Sequence, residues 1–142
     1  MEMHPKDGQR EHVLTMANED YLECIYRIIL KQDGDDEVRS VDIAECMNVS
    51  KASVSKAINT LKDEGFVEQS RYGKVALTER GHYYAKGLWR CHQTLRVFLI
   101  KELGVDPEVA DHEACQMEHA ISRDTITRWA DFLEKNGLDL ND

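Results

Sequence analysis

The chain has 142 residues, 42% of them hydrophobic and 32% charged, with a formal net charge of −9. That length buries one core or two small ones, and no stretch approaches the roughly 18 apolar residues that span a bilayer. Taken whole, the acidity argues against a nucleic-acid binder.

The N-terminal 17 residues lack clear periodicity and hold Pro5, which predicts an extension that is flexible or only partly helical. The polar run from Met1 to Arg10 has no apolar segment of a signal peptide, so a cytoplasmic location with no membrane partner is expected. A first helix is predicted from roughly Glu19 to Lys31, with Tyr21, Ile25 and Ile28 on one stripe. The charged segment from Gln32 to Glu37, broken by Gly34, reads as a loop. A second helix starts near Ser40 and carries Val41, Ile43, Ala44 and Met47. Asn48-Val49 then make a short turn, and Ser50 caps a third helix from Lys51 to Glu64, closed by Gly65.

The period then changes. Phe66 to Thr78 reads as two short strands around a turn at Arg71-Tyr72-Gly73-Lys74. A long helix follows from about His82 to Leu103. Asp106-Pro107-Glu108 opens a fifth helix reaching about Ile121, and Ser122 caps a last one, whose Ile126, Trp129, Ala130 and Leu133 form a stripe ended by Gly137. The expected fold is mainly α. A winged helix-turn-helix over residues 18–80 is followed by helices over 81–142.

Residues 38–81 carry 7 Lys/Arg against 6 Asp/Glu, whereas residues 1–37 carry 4 against 10 and residues 82–142 carry 7 against 11. The only segment that is not acidic is therefore the helix-turn-helix and hairpin. In the third helix Val54, Ala57, Ile58 and Leu61 fall on one face, and Ala52, Ser53, Lys56 and Asn59 on the other. Those side chains are short or straight. They offer hydroxyl and amide groups, an ammonium and a methyl to the major groove of double-stranded DNA. Ser50 and the first N–H groups, with Lys51 beside them, suit a phosphate at the positive helix end. Arg71 and Lys74 on the hairpin tip, flanking Tyr72, suit the backbone or minor groove.

Three clusters of ligand-type residues lie outside this segment. Asp20 and Glu23 stand three residues apart on the first helix; Cys115, Glu118 and His119 share one face of the fifth; His92, preceded by Cys91, stands mid-way along the fourth. Carboxylates with imidazole suit Mn²⁺ or Fe²⁺, and a thiolate shifts the preference toward Fe²⁺, Co²⁺, Zn²⁺ or Cu⁺. Each cluster is also compatible with a structural role: Asp20 and Glu23 solvated, with Glu23 paired to Arg27, and His92 bonded to a backbone carbonyl. The Cys-x-x-Glu-His run fits a structural role least, because burying those groups without a cation is costly. Cys24, Cys46, Cys91 and Cys115 form no Cys-x-x-Cys pair and are expected to be reduced and buried.

Several of these runs resemble one family, the DtxR/MntR metalloregulators. The similarity covers about residues 18–137. It rests on Glu19-Asp-Tyr-Leu-Glu-Cys-Ile-Tyr26, Asp42-Ile-Ala-Glu45, Val49-Ser-Lys-Ala-Ser-Val-Ser-Lys56, Leu61-Lys-Asp-Glu-Gly65, Leu77-Thr-Glu-Arg-Gly81 and Glu113-Ala-Cys-Gln-Met-Glu-His-Ala-Ile-Ser122. The resemblance implies a repressor of metal-uptake genes that binds a palindromic operator as a homodimer, and no enzyme. It implies Asp20, Glu23, His92, Cys115, Glu118 and His119 as metal ligands and residues 81–142 as a metal-binding and dimerisation domain. It also places Ser50, Ala52, Ser53 and Lys56 at DNA-contacting positions. Asp20 matches manganese-type members and Cys115 iron-type ones, so Mn²⁺ or Fe²⁺ is expected, with Co²⁺, Ni²⁺ or Zn²⁺ as substitutes. Arg96 and Asp111 depart from the ligands of a second site in iron-type members, and the SH3-like third domain of those members is expected to be absent. The competing reading from the residues is a winged-helix regulator sensing an oxidant or small organic ligand through Cys91 or Cys115.

Overall fold

A computed structural model describes residues 14–140; most of the predicted N-terminal extension lies outside them. The chain divides into two compact units, one over Leu14–Lys86 and the other, as described, over residues 87–140.

The N-terminal unit holds α1 (Met16–Lys31), β1 (Glu37–Val38), α2 (Ser40–Met47), α3 (Lys51–Asp63), β2 (Val67–Gln69), β3 (Val75–Leu77) and the start of α4 (Glu79–Lys101). α1 begins three residues earlier than its periodicity suggests because Thr15 caps it, its hydroxyl accepting from the Asn18 N–H at 3.1 Å. Asn48, at φ 55°, ends α2, and the Val49 N–H returns to the Ala44 carbonyl, which makes the sharp turn into α3. At the far end of α3, Gly65 adopts φ +82° and the Phe66 N–H bonds the Leu61 carbonyl at 2.9 Å, a Schellman closure. Val54, Ala57, Ile58 and Leu61 are buried as their spacing requires, packing in one core with Leu22, Ile25, Val38, Ile43, Phe66 and Val75.

The sheet has a strand that the sequence reading treats as loop. β1 pairs antiparallel with β3, which pairs with β2, giving the order β1-β3-β2 with Val38 opposite Val75. Gln32 organises this segment by donating from Nε2 to the Asp35 and Glu37 carbonyls, and Val38 is fully buried. The Thr-Glu-Arg-Gly run after β3 acts as a clasp. Thr78 Oγ1 donates to the Gly65 carbonyl at 2.7 Å and accepts from the Gly81 N–H, while Arg80 donates to the Glu64 carbonyl and lies 4.3 Å from the Phe66 ring centroid. These bonds satisfy carbonyls left open at the end of α3.

The C-terminal unit holds the rest of α4, then α5 (Pro107–Met117) and α6 (Arg123–Lys135). Asp106 and Ser122 cap α5 and α6 through their side chains, with Pro107 opening α5. Cys91, Leu95, Ala114 and Ile126 form its core, against which Met117, Ile121 and Trp129 pack, and Phe98 meets Trp129 edge-on at 5.1 Å. α5 ends at Met117, four residues before its expected end. Glu118 is its C-cap, and the Ala120 N–H bonds the Met117 carbonyl to tighten the chain toward the Ser122 cap. No described helix is long and apolar enough to cross a membrane.

Candidate metal centre and nucleic-acid interface

In the N-terminal unit, α3 presents Lys51, Ala52, Ser53, Lys56 and Asn59 to solvent, with exposed Ser50 at its start. The Ser50 hydroxyl is already engaged, accepting from the Ser53 N–H and donating to Ser53 Oγ, both at 3.1 Å. Its part at this surface is first to fix the helix start. At the hairpin tip Arg71 and Tyr72 are exposed and Lys74 half-buried; Gly73, at φ +82°, and the Ser70 N–H bond to the Lys74 carbonyl shape the turn. A cleft of about 240 Å³ beside α3 is lined by Asn18, Tyr21, Ser53, Lys56, Ala57 and Thr60. Neither Asn18 nor Thr60 was expected at this surface: Asn18 reaches it only because α1 packs on α3, whereas Thr60 lies on α3 itself, its hydroxyl donating to the Lys56 carbonyl.

Asp20 and Glu23 lie on α1 in this unit. Asp20 is half-buried; Glu23 is 3% exposed, and its Oε2 makes no hydrogen bond. Solvation by water is therefore excluded as the explanation for Glu23. Neighbouring Glu19 is also buried and accepts from the Tyr84 hydroxyl, a role that no spacing along α1 reveals. Burial and a thiol hydrogen bond with Cys46 push Cys24 well above the usual thiol range, so it stays protonated. Cys46 itself is exposed, against expectation, while Cys91 is buried and donates to the Glu118 carbonyl.

In the C-terminal unit, His92, Cys115, Glu118 and His119 come together. His92 is 1% exposed and Glu118 fully buried. His92 Nδ1 lies 3.8 Å from Glu118 Oε2, and His119 Nε2 lies 3.7 Å from Glu118 Oε1. Both separations exceed hydrogen-bond length. A ligand atom of half-buried Cys115 lies within 4.8 Å of a Glu118 oxygen. The other ring nitrogen of His92 bonds Asp111 Oδ1 at 2.9 Å, not a backbone carbonyl, and Trp89 stacks on the ring at 5.4 Å with an 11° interplanar angle. His92 Nδ1 has no hydrogen-bond partner.

Two donors about 3.8 Å apart can both reach an ion bound at about 2.0–2.2 Å. Imidazole, carboxylate and thiol in one buried cluster therefore form a donor set that fits a divalent transition metal. Because Glu118 and His119 follow the last helical residue, their approach is set by the α5–α6 turn as much as by helical spacing.

Two family models match the chain: "Iron dependent repressor, N-terminal DNA binding domain" over residues 13–75 and "Iron dependent repressor, metal binding and dimerisation domain" over residues 78–139. An uncharacterized HTH-type transcriptional regulator of Methanocaldococcus jannaschii is 33% identical over 86% of this chain and 96% of its own length. The transcriptional regulator MntR of Salmonella typhimurium is 34% identical over 84% of this chain and 73% of its own. Among solved structures, the manganese regulator SloR superposes with a TM-score of 0.71 at 32% identity, covering 82% of this chain. The present chain spans about half of that one, 53%.

Proposed function

Because the chain belongs to the iron-dependent repressor family, the DtxR/MntR metal-dependent transcriptional regulators, we propose that it is a cytoplasmic, Mn²⁺- or Fe²⁺-dependent repressor of metal-uptake genes, binding a palindromic operator as a homodimer. Its proposed ligands are Asp20, Glu23, His92, Cys115, Glu118 and His119. The observation that carries this reading is the buried His92 Nδ1, with no hydrogen-bond partner, facing a fully buried Glu118 carboxylate. A buried imidazole nitrogen without a partner demands compensation, and a cation beside the carboxylate supplies it. Glu23, a buried carboxylate with an oxygen likewise unbonded, supports a share for α1.

A bound divalent cation supplies positive charge against these carboxylates. The chain's own groups do the rest. Trp89 holds the His92 ring, and the α5 terminus delivers Glu118. On this reading ion occupancy and the DNA-competent arrangement are linked equilibria. In a dimer the arrangement selected is the one that sets two α3 helices about 34 Å apart, one DNA turn.

The test is fluorescence anisotropy of operator DNA, selected from a random pool, titrated anaerobically with Mn²⁺, Fe²⁺, Co²⁺ or Zn²⁺ and with a chelated control. Binding is expected only with metal; binding indifferent to chelation rejects the proposal. Two variants refine it. Lys56→Ala is expected to weaken binding to all sequences alike if it meets a phosphate, and to lower the slope of log K against log salt by about 1. Cys115→Glu is expected to move the metal ranking toward Mn²⁺; an unchanged ranking removes Cys115 from the ligands.

A further inference from the structure

The geometry points to Asp111 as a positioning residue for His92. Its carboxylate, held beside Arg96, accepts a hydrogen bond from Nε2–H and so commits the buried Nδ1 lone pair to the cation. This inference rests on the metal reading above.

Asp111 and Arg96 stand where the sequence departs from the ligands of a second site, and the structure gives them a different use. Asp111 Oδ1 is 2.9 Å from His92 Nε2 and 3.8 Å from Arg96 Nε. An ionised carboxylate only accepts, so the bonded ring nitrogen must carry the proton. In a neutral imidazole the other nitrogen is then a bare lone pair, here Nδ1, which lies 3.8 Å from Glu118 Oε2. Two acceptors, the Nδ1 lone pair and a Glu118 oxygen, then face one another at 3.8 Å, an arrangement that a cation between them stabilises. Trp89 fixes the plane of the ring, and the Asp111 bond opposes the ring flip that would turn Nδ1 away. Arg96 balances the charge of Asp111. The carboxylate therefore orients a ligand without adding net negative charge. Carboxylate partners of this kind fix ligand tautomer and basicity, and losing one costs metal affinity about 10- to 100-fold.

The side chain of Asp111 is 52% exposed, so its truncation leaves the fold intact. The experiment uses the full chain with Co²⁺ as the probe. In metal-free protein, long-range ¹H–¹⁵N correlations, assigned with His92→Ala, are expected to show His92 protonated at Nε2. In Asp111→Ala the ring is expected to become a tautomer mixture, with Co²⁺ affinity down about tenfold or more. Asp111→Glu is expected to recover most of both. In the His92→Ala background, Asp111→Ala is expected to cost nothing further, because its effect runs through that ring. An unchanged tautomer with affinity within twofold of wild type overturns the inference and leaves the metal reading standing. So does an equal loss with and without His92. Failure of the wild type to bind Co²⁺, Mn²⁺ or Fe²⁺ sinks the metal reading, and the inference with it.

Discussion

Replacing Glu118 by Gln is expected to abolish the stabilisation that metal confers while leaving the metal-free protein about as stable as before. The carboxylate is fully buried, with imidazole nitrogens 3.7 and 3.8 Å from its two oxygens. Glutamine has nearly the same shape and can still hydrogen-bond, but it brings no charge to desolvate. Swapping a buried charge for a neutral group of equal volume is often neutral or favourable, provided its partners can also be neutral, as imidazoles can. The metal-free change is therefore expected to stay within about 1 kcal/mol. With metal the comparison reverses. A ligand at 100 times its Kd that binds only the folded state adds about 2.7 kcal/mol. Wild type should show that gain as a clear rise in Tm, reversed by chelator, and the variant should not. Circular-dichroism melts with and without Mn²⁺ check both halves. An undiminished metal-induced rise in the variant removes Glu118 from the ligand set.

Gly81→Ala is expected to destabilise the N-terminal unit by about 3 kcal/mol, at the upper end of overpacking penalties. Intrinsic helix propensity gives the opposite sign, since Ala is favoured over Gly by about 1 kcal/mol inside a helix. Gly81 lies in the first turn of α4, where a Cβ would stand 1.9 Å from the Phe66 carbonyl oxygen and 2.9 Å from its carbon. Those are backbone atoms of a fully buried residue, pinned by the Phe66 N–H to Leu61 and by the Thr78 N–H to the Phe66 carbonyl, so they cannot yield. Gly87, further along the same helix, provides the control. A Cβ there meets Arg123 Nη2 at 2.8 Å, the end of a flexible side chain that can move aside. Gly87→Ala should change stability by less than about 1 kcal/mol. Urea midpoints of the two variants distinguish the cases; equal midpoints refute the close approach at Gly81.

The two glycines show where sequence reasoning stops. Gly87 lies inside the expected fourth helix and Gly81 just before it, and nothing in the letters around them says that one touches backbone and the other a movable guanidinium. The six helices, the Ser50, Asp106 and Ser122 caps and the Gly65 stop were legible, because each is decided by side chains within a turn or two of one another. The inward face of α3 and the grouping of Cys115 with Glu118 and His119 were legible for the same reason. β1 was not, since two residues declare themselves a strand only by pairing with β3 nearly forty positions later. The early end of α5 was missed because the α5–α6 turn, not local periodicity, sets it. The burial of Glu19 under the Tyr84 hydroxyl, 65 residues away, was invisible for the reason that hid β1. The His92–Asp111 bond, across 19 residues, belongs with it. Composition and spacing by themselves determined that this chain carries a winged helix-turn-helix and, outside residues 38–81, clusters of carboxylate, imidazole and thiol side chains. Only the tertiary structure decided which nitrogen of His92 is left facing Glu118, because that depends on a carboxylate brought alongside by the packing of α5 on α4.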